Sequence, residues 1–361
     1  MRIAIVGAGL AGLATAAAFS RTGHDVSVFE QADCLRADGL AINLWSNATS
    51  LLPSLGVPAS RIPGEPFSRM VWRAAGREVT TMKLPAQGLP HVNVERGDLL
   101  NALAAALPAA SIAYGARCTD LVALATGYDL VVVADGANSV LPPAVARPAR
   151  RQWTWTVWQA CVTAELPEVP AGARVSVIRP GLFIGIWRLP RGRFTWFAEQ
   201  PDRKPGGGKQ LLHDLRDDAD PVIQTVARAT SDREWIEWQA RDAWPPRTLH
   251  RSNVVLVGDA AHAMLPTLGQ GACQSIEDAA ALAAAVAAED TLDQALRRYE
   301  AARVPRVRQI VALTRAGAMG RRSNAASRAL PAATTARLTA LSGGPMLRRI
   351  SRPVIVPSQP S

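Results

Sequence analysis

Apolar and polar positions along the chain follow two rhythms that alternate in blocks. Ile3-Ala4-Ile5-Val6 is a short, unbroken apolar run of the kind found in strands covered on both faces. A small-residue helix over 13–19 follows it, and a second strand over 25–29 ends at Glu30. Comparable buried strands are predicted at 130–134 and 254–257, with helices over 98–103, 210–227 and 278–315 and another opening at Asn47. Between these blocks the period drops to two. Residues 69–73 and 79–82 read as a hairpin turning at Gly76, and residues 151–200 read as antiparallel strands rich in tryptophan. Lys204-Pro205-Gly206-Gly207-Gly208 reads as a flexible loop, and no internal repeat is present.

The blocks predict an α/β protein. Residues 1–66, 96–150 and 246–315 are expected to form a Rossmann-like nucleotide-binding domain around a parallel sheet. Residues 67–95 and 151–245 interrupt it twice and are expected to join into one mixed β-sheet domain. Residues 316–361 form a C-terminal helical segment and tail. A chain of 361 residues is long enough for two cores.

Two strand ends carry glycine-rich turns. The first is Gly7-Ala8-Gly9-Leu10-Ala11-Gly12, between a strand and a helix, with Glu30 closing the next strand. Gly7 suits the tight turn, Gly9 lets backbone approach a diphosphate, and Gly12 lets helix pack on strand. The diphosphate then meets the helix N-terminus, and Glu30 accepts from a ribose hydroxyl. Taken alone, this turn could hold NAD or FAD. The second turn, Gly258-Asp259-Ala260-Ala261-His262 followed by Pro266-Thr267-Leu268-Gly269-Gln270-Gly271, makes FAD the better reading. Backbone N–H groups from Gly269 to Ala272 could face the flavin ring, with Pro266 stiffening the approach. Gln31 and Arg36 lie close enough to the first turn to reach the nucleotide.

Charge and cysteine content narrow the partners. The net charge is +10, but Lys83, Lys204 and Lys209 are the only lysines, so the excess is arginine scattered along the chain. Only the tail concentrates it, in Arg321, Arg322, Arg328, Arg337, Arg348, Arg349 and Arg352. That distribution argues against a nucleic-acid footprint. Cys34, Cys118, Cys161 and Cys273 are widely spaced, which reads as free thiols in a cytoplasmic protein without a metal site. No run is long and apolar enough for a membrane span. A monomer or homodimer is expected.

The motifs resemble those of the class A flavoprotein monooxygenases, the para-hydroxybenzoate hydroxylase-like family, over about residues 1–310. The most specific stretch is Gly258-Asp259-Ala260-Ala261-His262 with Gly269-Gln270-Gly271 and Glu277-Asp278-Ala279. The Asp-Gly motif around Asp135-Gly136 and the Arg96-Gly97-Asp98-Leu99 run add to it. The resemblance implies that Asp259 accepts from ribityl hydroxyls, that Arg96 and Asp135 lie at the cofactor, and that His262 is a packed motif residue. It also implies reduction of FAD by NADH or NADPH, then transfer of one oxygen atom from O2 to an aromatic or polycyclic small molecule. Two departures stand out. Pro142 occupies a place where relatives carry an arginine, and Arg147 is the candidate substitute for it. Where relatives put tyrosine, arginine or histidine beside the substrate, this chain has Phe183, Gly185, Trp187, Thr195 and Trp196. No side chain is assigned as general base. An apolar pocket of Trp45, Phe183, Gly185, Trp187, Trp196, Leu265 and Pro266 is expected, holding the substrate by aromatic contact and not by an arginine–carboxylate clamp. Two alternatives accompany this reading: a flavin halogenase, suggested by Trp153-Thr154-Trp155, and a non-catalytic flavin-binding protein.

Overall fold

The computed structural model describes residues 1–36, 40–84, 89–146, 154–179, 181–201, 206–326 and 347–352. Gly39, Arg147, Trp153, Lys204, Pro205, Arg328 and Arg337 lie outside the described residues. The chain opens as β1 (Arg2–Val6), α1 (Leu10–Arg21) and β2 (Asp25–Phe29), with β1 and β2 parallel and Ile3 opposite Val26. Next come β3 (Ala41–Leu44), α2 (Ser46–Thr49), β4 (Gly64–Ala74), β5 (Arg77–Lys83), β6 (His91–Glu95) and α3 (Arg96–Ala104). After β7 (Ile112–Ala113), α4 (Leu121–Gly127) and β8 (Leu130–Val133), four long strands follow: β9 (Thr154–Thr163), β10 (Gly172–Arg179), β11 (Leu182–Arg188) and β12 (Arg193–Pro201). The remainder is α5 (Gly208–Arg216), α6 (Pro221–Arg228), β13 (Ile236–Arg241), β14 (His250–Arg251), β15 (Val254–Leu256), α7 (Asp259–His262), α8 (Gly271–Ala288) and α9 (Leu292–Ala326).

Two sheets organise these elements. The first has six strands in the order β14-β15-β8-β1-β2-β7, parallel except at the β14 edge. Its central strands are buried along their whole length, as the unbroken apolar runs required. α1 packs against α8, and alanine on both helices permits the close approach. The second sheet has the order β13-β9-β12-β11-β10-β4-β6-β3, with β5 paired to β4. It is mixed: β10 runs parallel to β4, and the other pairs are antiparallel. β3 belongs here although the sequence grouped it with the nucleotide segments, because Ala41 to Leu44 pair with Glu95 to Val92.

Local chemistry explains where the elements stop. The β4–β5 hairpin turns on Ala75 (φ 50°) and Gly76 (φ 75°), the two positive-φ positions of a tight two-residue turn. The helix expected over 210–227 is two helices, since Asp220 caps a new start at Val222 N–H and Pro221 takes its first position. The helix expected over 278–315 likewise breaks at Thr291. Its hydroxyl accepts from the Gln294 N–H and donates to Gln294 Oε1, a side-chain cap that starts α9.

One face of the second sheet rests on α5 and α6 through Ile184, Ile186, Leu212, Val222 and Ile223. Trp196 lies in this core and not in the substrate pocket. Its ring stacks on Trp235 at 4.2 Å, and its Nε1 donates to Thr230 Oγ1. The opposite face looks towards the first sheet across a cavity. α9 spans both regions: Thr267 donates to the Thr314 carbonyl, Arg308 to the Pro245 carbonyl, and Arg315 pairs with Asp242. Among the described residues, no helix is long and apolar enough to cross a membrane.

Candidate active site

At the first glycine turn, each glycine answers a separate spatial demand. Gly7 has φ +102°, and a Cβ there would lie 2.7 Å from the Ala134 carbonyl oxygen. A Cβ on Gly12 would lie 1.9 Å from the Gly7 oxygen, so α1 can pack on the turn only without one. Gly9 is different: nothing stands within 4 Å of its Cβ position. α1 also has no side-chain cap and no acid in its first turn, so its leading N–H groups face open space. Glu30 accepts from the N–H groups of Ala8 and Ala32, both at 2.8 Å, which fixes its carboxylate at the end of β2. Gln31 and Arg36 are exposed, and Arg36 takes part through its carbonyl, which accepts from Arg96 Nη1 at 2.9 Å. Arg96 itself lines the cavity. Asp135 turns away to accept from Ser139, and burial pushes its carboxyl up; its neighbours Ala134 and Gly136 form the wall instead.

The second turn meets the first directly. A Cβ on Gly258 would come within 2.5 Å of the Ala11 side chain. Asp259 opens onto the cavity, yet the enclosing walls keep enough water away to push its carboxyl up; His262 opposes the shift and Asp278 reinforces it. Pro266, Gly269, Gly271 and Ala272 continue the wall to the start of α8, which also lacks a side-chain cap. Gln270 contributes no side chain to this wall. Its side chain points into the interior, where its oxygen accepts from Asn47 and Gln274 at 3.1 Å.

Behind this loop lies a buried charge network that the sequence does not announce. Arg303 Nε donates to Asp278 at 2.7 Å, and its Nη1 pairs with Glu277. Arg306 donates to Glu277 and to the Ile350 carbonyl, tying the C-terminal turn to the same cluster. His262 Nε2 lies 2.6 Å from Asp278, which also accepts from the Gly258 N–H at 2.8 Å. Burial works against the Asp278 carboxylate, but His262 and Arg303 outweigh it and hold the group at about 2. Burial likewise opposes Glu277, and Arg303 and Arg306 draw it below its usual range. His262 is fully buried, and its Nδ1 has no partner among the described residues.

The cavity between the sheets measures about 1030 Å³. Trp45, Leu265 and Pro266 line it on the loop side, and Phe183, Gly185 and Trp187 on the sheet side. The register explains Trp196. Trp187 pairs with Thr195, whereas Trp196 pairs with Ile186 on the opposite face. Gly185 is needed because the Phe197 ring lies across it; a Cβ would be 2.3 Å from that ring. The sheet wall is also more polar than the sequence suggested, with Gln159, Arg174, Ser176 and Glu199 among its residues. The alternation of Arg174 and Ser176 with Val175 and Val177 shows two faces, but solvent and cavity leave the same mark in sequence.

FAD fits this arrangement: an open glycine over an uncapped helix for the diphosphate, a fastened carboxylate at Glu30, Asp259 on the wall, and a second uncapped helix start at Gly271. Comparison with known proteins agrees. Residues 128–314 match a family model described as an FAD binding domain, and residues 5–40 match an NAD(P)-binding Rossmann-like domain. The chain is 32% identical to a 3-amino-4-hydroxybenzoate 2-monooxygenase of Streptomyces cremeus, over 86% of this chain and 85% of the relative. It is 29% identical to an FAD-dependent urate hydroxylase of Klebsiella pneumoniae, over 86% and 88%. The fold is also that of Klebsiella pneumoniae HpxO complexed with FAD and uric acid, with a TM-score of 0.84 at 24% identity over 98% and 96% of the two chains. The protein belongs to the FAD-dependent monooxygenases of the class A type. FAD is its cofactor, and a pyridine nucleotide is its reductant.

Proposed function

We propose that the protein inserts one atom of O2 into a planar aromatic or polycyclic small molecule. NADH or NADPH supplies two electrons, and the second oxygen atom leaves as water. The observation that carries this reading is one cavity with two kinds of wall. Backbone N–H groups and Asp259 line one end, and Trp187, Phe183, Phe197 and Trp72 line the other. Bound FAD supplies the two-electron chemistry that activates oxygen. The chain's part is positional. The first turn of α1 holds the diphosphate, Glu30 and Asp259 accept from sugar and ribityl hydroxyls, and Gly269 to Ala272 present backbone N–H groups to the ring. Leu265, Trp45 and Trp187 are buried and keep water from the reacting centre.

No protein base is assigned: His262 is buried against Asp278 and does not line the cavity. Electron density for oxygen transfer comes from a phenol, enol or ring nitrogen of the substrate. We assign cofactor binding to residues 1–66, 96–150 and 246–315 and substrate binding to 67–95 and 151–245, with Ala41–Leu44 lent to the second sheet. The free cysteines suit a cytoplasmic protein. The test is to purify the yellow protein and screen hydroxylated aromatics for stimulated NAD(P)H oxidation. The expected result is incorporation of label from ¹⁸O2 into product. Substrate-independent oxidation releasing only hydrogen peroxide across the screen would refute it.

A further inference from the structure

Resting on that reading, we infer that Gly317 sets the length of substrate the cavity accepts. It keeps open an apolar arm for the second ring or alkyl chain of an elongated aromatic molecule. The arm lies where the cavity runs past the edge of the second sheet. Trp155, Val157 and Trp238 bound it on β9 and β13, Leu265 and Thr267 on the loop, and Ala316 and Gly317 on α9. Trp155, Val157 and Leu265 are buried and form one apolar cluster with Ala318, against which Trp238 packs. Ala316 is exposed, so the arm opens at the surface beside α9. Arg315, the nearest charge along that helix, is occupied: it pairs with Asp242 and lies over the Trp244 ring.

The fold does not ask for glycine at this position. Gly317 lies well inside α9 and has no left-handed φ. Glycine inside a helix weakens it relative to alanine, because the unfolded chain has more freedom to lose. At Gly12 and Gly258 crowding explains the residue, since a Cβ there would collide with its neighbours. A Cβ on Gly317 would make only ordinary contacts, 3.5 Å from Thr267 Oγ1 and 3.9 Å from Leu268 Cδ2. Alanine would therefore fit and would stiffen the helix. What a larger side chain would take up is the space between α9 and the loop. The wall cannot retreat from it, because Thr267 is bonded to the Thr314 carbonyl one turn earlier on the same helix. A passage of this kind favours a hydrocarbon extension, since a charge entering it would be stripped of water.

The test uses the FAD-loaded enzyme and a ladder of para-alkylphenols from phenol to 4-octylphenol. Binding is followed by perturbation of the flavin absorbance. In the wild type each added methylene should tighten binding roughly threefold until the arm is filled. Gly317→Leu should end that gain at a shorter chain and leave phenol within about twofold. Trp238→Ala removes bulk from the facing wall and should carry the gain to a longer chain. It is read alone if Gly317→Leu does not retain flavin. Gly317→Ala should leave Tm unchanged or raise it. A wild type that gains nothing from chain length overturns the inference, as does a break point shared by wild type and variants, a uniform loss across the ladder, or a lowered Tm in Gly317→Ala. Oxygenated product is scored separately. Its absence with every phenol counts against the proposed function, whereas the ladder and Tm decide the role of Gly317.

Discussion

The two ends of the cavity are built from different materials. At the cofactor end, recognition comes from main chain: uncapped helix starts, glycines whose missing Cβ makes room, and two carboxylates at strand ends. At the end proposed for the substrate the wall is made of side chains spread over one face of a sheet, where Arg174, Ser176, Trp187 and Phe197 meet only through strand register. The first kind of site fixes a ligand common to a whole family, because backbone changes little when side chains vary. The second can be rewritten by single substitutions without disturbing the fold. Stability follows the same division, since the buried ion network sits directly behind the cofactor loop and not behind the sheet wall.

The comparison breaks most easily at Arg303. Replacing it with methionine leaves Glu277 and Asp278 buried without their shared cation, a loss of roughly 3–5 kcal/mol. A denaturant titration should show that loss together with release of FAD. A change below about 1 kcal/mol would mean that the network does not support the loop. Asp259→Ala should come next, weakening FAD by roughly 1.5–3 kcal/mol while the aromatic wall keeps its structure. Flavin occupancy equal to the wild type would remove Asp259 from its assigned role.

Acid provides a third handle. Asp278 is held at about 2 in the fold, below its unfolded value near 3.9. A depressed carboxylate contributes stability that is fully present above the unfolded value and is lost as pH falls through the folded one. About 2 kcal/mol should therefore disappear between about pH 4 and pH 2, as read by urea unfolding, and Asp278→Asn should flatten that decline. Two glycines give the smallest and sharpest contrast. Gly9→Ala meets nothing within 4 Å, so stability should hold while FAD affinity falls. Gly185→Ala pushes on the Phe197 ring and should cost about 1 kcal/mol. It should raise KM for the substrate and leave flavin affinity unchanged. If both variants behave alike, the two ends are not independent.

Legibility in the sequence follows the same split. The glycine turns, Glu30 and Asp259 are local patterns, and each chain segment declares them without reference to the rest. The substrate wall is not local. Trp187 and Trp196 look equivalent along the chain, and only the pairing of Trp196 with Ile186 sends it to the far face. Arg174 alternates with valines just as a solvent-facing residue would. Arg303 and Arg306 share one face of α9, but nothing near them in sequence names Glu277 and Asp278 as their partners. Helix breaks were legible in principle, since Asp220-Pro221 and Thr291 with Gln294 are local signals that a count of apolar positions overrides.

α9 ties these two unlike ends into one body. Its first half clamps α8 through Arg303. Its second half bonds the Thr267 loop, pairs with Asp242, and places Ala318 against Trp155, Val157 and Leu265. Neither sheet can lose its packing without disturbing that helix, so heat should melt both in a single transition. The consequence is thermodynamic reach. FAD at a hundredfold excess over its Kd should stabilise the whole molecule by about 2.7 kcal/mol, and with it the aromatic wall on the second sheet.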